Sequence, residues 1–149
     1  MDLKEKLIDI VKPICEGQGF YLLDLKVGGS ARNPVFQVFA DNEKGITLDD
    51  CVRLSRKIED ELDFREDLPK NYRLDVSSPG VGHPLKYDWE FKKNLGRTLV
   101  VKYWIEEKLW REVGKLVDFS EEVIAIETKH GLKEIKRENI EQAKVKLQW

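Results

Sequence analysis

Two cysteines and two histidines in 149 residues leave this chain few groups for covalent or metal chemistry. Cys15 and Cys51 are too few for a disulfide framework, and each falls on an apolar periodic segment where a thiol packs as a small hydrophobe, so a reducing compartment is expected. Adding His83 and His130 produces no zinc-ligand spacing, and neither a metal nor a cofactor is expected. Long apolar runs are also missing. The longest, residues 20–23 and 123–126, are too short for a membrane-spanning helix. Met1-Asp2-Leu3-Lys4-Glu5 is acidic where a secretory leader is basic and then apolar, so a cytoplasmic protein is expected. Proline (five) and glycine (ten) are too sparse for a fibrous chain, and 41% hydrophobic residues support a folded core.

No charge dominates overall, with 26 basic against 28 acidic side chains, but the distribution is uneven. Residues 1–84 hold 12 basic and 16 acidic groups, a net of −4, whereas residues 85–149 hold 14 and 12, a net of +2. All four tryptophans (Trp89, Trp104, Trp110 and Trp149) lie in the second half. Two modules with different surfaces explain this better than one mixed core.

Leu3, Leu7, Ile10, Val11 and Ile14 recur at helical spacing and predict a helix ending near Gly17, kinked or restarted at Pro13. Residues 21–27 alternate, with Leu23, Leu25 and Val27 on one face and Asp24 and Lys26 on the other, as in a half-buried strand. Gly28-Gly29-Ser30-Ala31-Arg32-Asn33-Pro34 is turn chemistry before a second strand at 35–39, so the pair reads as a hairpin with a long tip. Thr47 is placed to cap a helix running to about Leu62, with Asp49 and Asp50 in its first turn and Cys51, Leu54, Ile58 and Leu62 inward. Residues 72–76 alternate as a third strand, completing an αββαβ order. Beyond Lys86 the pattern changes to five short strands, at 98–103, 109–119, 123–128, 132–136 and 142–147. A single 3₁₀ turn is expected at 137–140. Such spacing predicts a small SH3-like or Sm-like β-barrel, with Trp104, Trp110 and the Val/Ile positions filling its core. The fold class expected is therefore α+β: an N-terminal αββαβ domain over residues 1–80 and a five-stranded barrel over 85–149.

The modules are joined by Val76-Ser77-Ser78-Pro79-Gly80-Val81-Gly82-His83-Pro84-Leu85, which has two prolines and two glycines in six residues. Ser78 is pushed to extended geometry by Pro79, and Gly80 suits the positive φ of a type II turn, so the joint bends without being floppy. Together with Gly45-Ile46-Thr47-Leu48-Asp49-Asp50-Cys51 and Tyr72-Arg73-Leu74-Asp75-Val76, this element resembles the bacterial ribosome maturation factor RimP family over essentially the whole chain. The family usually places an acidic residue and an arginine before Pro-Leu. Here Gly82 and His83 stand there, and an imidazole replaces a guanidinium.

The resemblance implies a protein that helps assemble the 30S small ribosomal subunit by noncovalent binding to immature subunits, without catalysis. It implies a small-subunit ribosomal protein of the decoding region as partner of the linker and barrel, and small-subunit rRNA as partner of the N-terminal module. Partner-binding candidates are Ser77, Ser78, Pro79, Gly80 and His83 in the linker, and Lys92, Lys93, Arg97, Lys133, Lys136 and Arg137 in the barrel, where Lys129 adds to the second cluster. Arg32 and Asn33 at the hairpin tip are candidates for RNA contact. No catalytic residue is assigned and a monomer is expected.

Sharper chemistry is not supported by the residues. Gly28-Gly29-Ser30 lacks the later glycine and the Lys-Ser/Thr of a phosphate loop. Ser77 and Ser78 have only His83 as a base and read as backbone-shaping residues. Asp49 and Asp50 are explained by capping without Mg²⁺, and His130 reads as a turn residue. An alternative is an RNA-binding regulator with a KH-like platform, but no Gly-x-x-Gly loop flanked by basic residues is present.

Overall fold

A computed structural model describes residues 2–79 and 83–146 of the chain. Its contacts divide the chain into two compact units, Met1–Pro79 and Gly80–Trp149, each with a core of its own. Gly80, Val81 and Gly82 of the linker, the Leu147 end expected for the last strand, and Trp149 lie outside the described residues.

In the first unit, helix α1 (Leu3–Gly17) starts where the Asp2 carboxylate accepts the Glu5 amide at 2.8 Å. Leu7, Ile10, Val11 and Cys15 are its buried stripe. The helix runs through Pro13 as one element; Pro13 and Asp9, whose carbonyl loses its donor, both lie on the exposed side. Strands β1 (Tyr21–Gly29) and β2 (Pro34–Asp41) pair antiparallel. They continue to the Gly29–Pro34 pair, so the long tip expected from the sequence shrinks to residues 30–33. Gly29 has φ 74°, and an added Cβ would lie 2.5 Å from the Asn33 carbonyl oxygen, which is why this turn requires glycine.

The expected Leu23-Leu25-Val27 face is not what forms. The β1–β2 register skips Leu23, so Leu22 and Leu25 both meet the core; Val27 keeps Leu25's face, opposite Phe36, but stays 39% exposed near the hairpin tip. One extra residue in a bulge reverses the side-chain phase, and strict alternation cannot reveal it. Helix α2 (Leu48–Phe64) begins with a reciprocal box: the Thr47 hydroxyl accepts the Asp50 amide at 3.1 Å, and the Asp50 carboxylate accepts the Thr47 amide at 2.9 Å. At its other end Lys70 Nζ donates to the carbonyls of Asp63 at 2.7 Å and Arg65 at 2.6 Å, doing the work of a glycine cap. Strand β3 (Arg73–Ser77) lies parallel to β2, so the sheet order is β1-β2-β3. Leu54, Ile58 and Leu62 of α2 join the α1 stripe over Leu25, Phe36, Val38 and Ala40 of the sheet.

The second unit opens with a short helix, α3 (Asp88–Lys93), that the sequence reading missed. Five strands follow: β4 (Thr98–Ile105), β5 (Lys108–Phe119), β6 (Val123–Thr128), β7 (Gly131–Lys136) and, after a 3₁₀ turn at Arg137–Asn139, β8 (Ile140–Val145). They form one antiparallel sheet in the order β7-β6-β5-β4-β8. Among the described residues no ladder joins β7 to β8, so the closed barrel expected from the sequence is not found. Turn chemistry identifies the hairpin neighbours, whereas the return of β8 to β4 is a long-range pairing that no local signal encodes.

The core of this unit is also not the one expected. Phe91, Leu99, Val101, Tyr103, Leu116, Ile124, Ile126, Ile135 and Ala143 fill it, while Trp104 and Trp110 remain 40% and 41% exposed. Trp104 alternates with the inward Tyr103 and so faces away from the core. Trp110 pairs with Tyr103 on the core side, but β8 pairs with β4 only as far as Tyr103 and β6 pairs with β5 only from Lys115 onward, so among the described residues no strand covers it.

Candidate interaction surfaces

The candidate residues fall at three places in the two units. At the β1–β2 tip, the Ser30 hydroxyl accepts the Asn33 amide at 3.1 Å, which shapes the turn and leaves Arg32 and Asn33 exposed. At the end of β3, Ser77 pairs in register with Phe39; Ser77 and Ser78 are exposed and Pro79 is half-buried. His83 is half-buried in a bend. Two residues on, the Leu85 amide donates to the Ala143 carbonyl at 2.7 Å, tying the linker's exit to β8. Gly80 lies outside the described residues.

Around α3 lie the three candidates Lys92, Lys93 and Arg97. Lys92 and Lys93 occupy the last turn of the helix, where cations face its negative end, and both are exposed. Arg97 is exposed as well, and its guanidinium donates to the Asn94 side-chain oxygen at 3.3 Å. Below them Glu90, buried, accepts the Lys86 and Tyr87 amides at 3.0 and 3.1 Å and fixes the helix start.

The second expected cluster is dispersed. Lys133 points to the core side of β7, over the Tyr103 ring at 5.6 Å and 4.0 Å from Glu112, whereas Lys136 lies an odd number of residues along the strand and faces the other way. Arg137 is committed internally. Its guanidinium donates to Asp88 at 2.5 Å, to the Ser120 carbonyl at 2.8 Å and to the Lys86 carbonyl at 3.2 Å, and it stacks over Phe91 at 4.8 Å. It thus clamps the segment before α3 to the β5–β6 turn, a structural duty in place of the expected outward-facing one.

A further set of cations went unnoticed in the sequence: Lys102, Arg111, Lys115 and Lys144 on the face of the second sheet opposite its core. The available signal was their alternation with inward residues, as in Val101-Lys102-Tyr103 and Gly114-Lys115-Leu116.

Burial, reinforced by Glu16, pushes the Cys15 thiol up to about 11, and burial with Asp50 nearby raises Cys51, so both are protonated at neutral pH and poor nucleophiles. Among the described residues no group of three or more His, Cys, Asp or Glu is placed to hold a metal ion. Two shallow depressions of about 360 and 340 Å³ are lined respectively by Glu121, Glu122, Val123, Lys136 and Glu138, and by α1 and α2 residues including Pro13, Lys57 and Glu61. Neither sets a nucleophile beside a base. Among the described residues no helix is long and apolar enough to cross a membrane. Compared with known families, residues 10–82 match the RimP N-terminal domain, a span covering the second half of α1, the whole three-stranded sheet, α2 and the start of the linker. The chain belongs to the RimP family of ribosome maturation factors.

Proposed function

We propose that this chain assists assembly of the 30S small ribosomal subunit by noncovalent binding to immature subunits in the cytoplasm, and that it is not an enzyme. The observation that carries the reading is the RimP N-terminal domain match over residues 10–82. The linker and the second unit are assigned to a small-subunit protein of the decoding region, and the first unit, through the Arg32–Asn33 tip, to small-subunit rRNA. We assign the second unit to the SH3-like class, supported by its five antiparallel strands, the 3₁₀ turn before the last of them and the return of β8 to β4. The mechanism is selection: a factor that binds one arrangement of the immature particle more tightly than its competitors enriches that arrangement by no more than the difference in affinity. The test is gradient co-sedimentation of the tagged protein in a lysate. Comigration with free small subunits and not with translating ribosomes is expected; comigration with bulk RNA or with no particle overturns the reading.

A further inference from the structure

Four cations share the outer face of the second sheet. Lys102 lies directly opposite Arg111 across the β4–β5 ladder, Lys144 pairs with Val100 on β8, and Lys115 pairs with Thr98. Lys102, Lys115 and Lys144 each sit between inward-pointing neighbours, and Arg111 follows Lys102 by register, so all four project away from the core. Like charges directly opposite on a sheet are destabilising. None of the four makes an ion pair among the described residues. Nearby acid comprises Glu127, opposite Lys115 on β6, Glu141, which is already engaged, and the exposed Glu106 and Glu107 of the β4–β5 turn, at the end of the ladder away from Lys115 and Lys144.

Glu141 accepts the Trp104 indole N–H at 2.8 Å, which orients a ring that stays 40% exposed beside this array. Leu109, directly across the ladder from Trp104, is 43% exposed. Because β6 and β8 stop short of the hairpin end, the ring is not walled in.

We infer that this face, Lys102, Arg111, Lys115 and Lys144 around Trp104, binds unpaired RNA, with phosphates on the cations and a base stacked on the indole. The pairing of an oriented, exposed ring with uncompensated positive charge on adjacent strands is what a single strand offers partners for: backbone charge and flat apolar bases together. An acidic protein segment would satisfy the cations and leave the ring unused. The inference goes beyond the assembly reading, which gives this unit only a protein partner, and rests on that reading for the source of the RNA.

The test uses the full chain and a fluorescein-labelled single-stranded oligoribonucleotide of about 12 nucleotides, followed by anisotropy between about 50 and 200 mM salt. With four phosphates engaged, log K should fall with log salt at a slope of about −3, and Lys102→Gln with Arg111→Gln should roughly halve it. Trp104→Ala should weaken binding by roughly five- to 150-fold and Trp104→Phe should restore most of it. Lys12→Gln with Lys57→Gln, exposed in the first unit, should change little. Far-UV circular dichroism checks that each variant is folded. An unchanged slope in the Lys102/Arg111 variant, or no binding by the wild-type chain, overturns the inference, even if the chain still co-sediments with small subunits and the assembly reading stands. Oligonucleotide binding through this face in a chain that ignores small subunits would leave the inference and remove that reading. If the Lys102/Arg111 variant loses only the capture of rRNA-free small-subunit proteins, the face is a protein site and the inference fails.

Discussion

Replacing Arg137 by glutamine should selectively loosen the second unit. The guanidinium side chain is only 17% exposed and serves three acceptors and one ring at once. Its bond to Asp88, which is 57% exposed, counts for less than about 1 kcal/mol after screening. The charge-assisted bonds to the Ser120 and Lys86 carbonyls and the stacking on Phe91 weigh more, at about 1 kcal/mol each, because they join segments distant in the chain. The sum is about 3–4 kcal/mol, enough in a unit of this size to lower its midpoint temperature by roughly 12–30 °C. The assay is built into the chain: every tryptophan lies in the second half, so tryptophan fluorescence during urea or thermal unfolding of the intact protein reports on that unit alone. Arg137→Lys should recover little, since an ammonium lacks the planar fork that reaches all three acceptors. A midpoint for Arg137→Gln within about 0.5 kcal/mol of wild type would refute the clamp, that being the ordinary effect of a surface substitution.

Other positions give equally direct checks. Gly114→Ala would put a Cβ 2.8 Å from the Glu127 carbonyl oxygen, a main-chain neighbour that cannot swing away, and should cost about 1–3 kcal/mol by the same fluorescence assay. Thr47→Ala should cost about 1 kcal/mol in the first unit, seen as an earlier loss of helical circular dichroism. Hydrogen bonding from the Thr47 amide, assisted by Arg53, holds the Asp50 carboxyl below its usual range, so its stabilising contribution is present above pH about 4 and fades as pH falls toward the lowered value; acid titration of Asp50→Asn should show a correspondingly shallower loss of helix signal. Cys15, raised to about 11, acts in the opposite direction. Stability is full below the ordinary thiol value of 9.0 and is lost as pH rises from there to about 11, and a thiol reagent at pH 8 should modify Cys15 only after unfolding.

Local chemistry made much of this fold legible. The Thr47 cap, the Leu54-Ile58-Leu62 stripe and the turn at Lys129-His130-Gly131 are each encoded within a few residues, and they appear where the sequence puts them. What was misread depended on distant partners. Leu23 becomes a bulge only because β2 sets the register, Arg137 turns inward only because Asp88, Ser120 and Lys86 converge on it, and Trp110 stays exposed only because flanking strands end early. Helix α3 was missed because six residues carry too little periodicity to separate from the strands that follow.

By itself, then, the chain's residue order determined its elements, their caps and its division into an acidic α/β half and a tryptophan-bearing strand-rich half, because propensity, capping and periodicity act over one or two turns. Which charges face outward together was decided only by the tertiary structure. Lys102, Arg111, Lys115 and Lys144 come from three strands, and nothing short of the β5-β4-β8 pairing brings them onto one face, since cross-strand neighbours are set by long-range hydrogen-bond register and not by proximity along the chain.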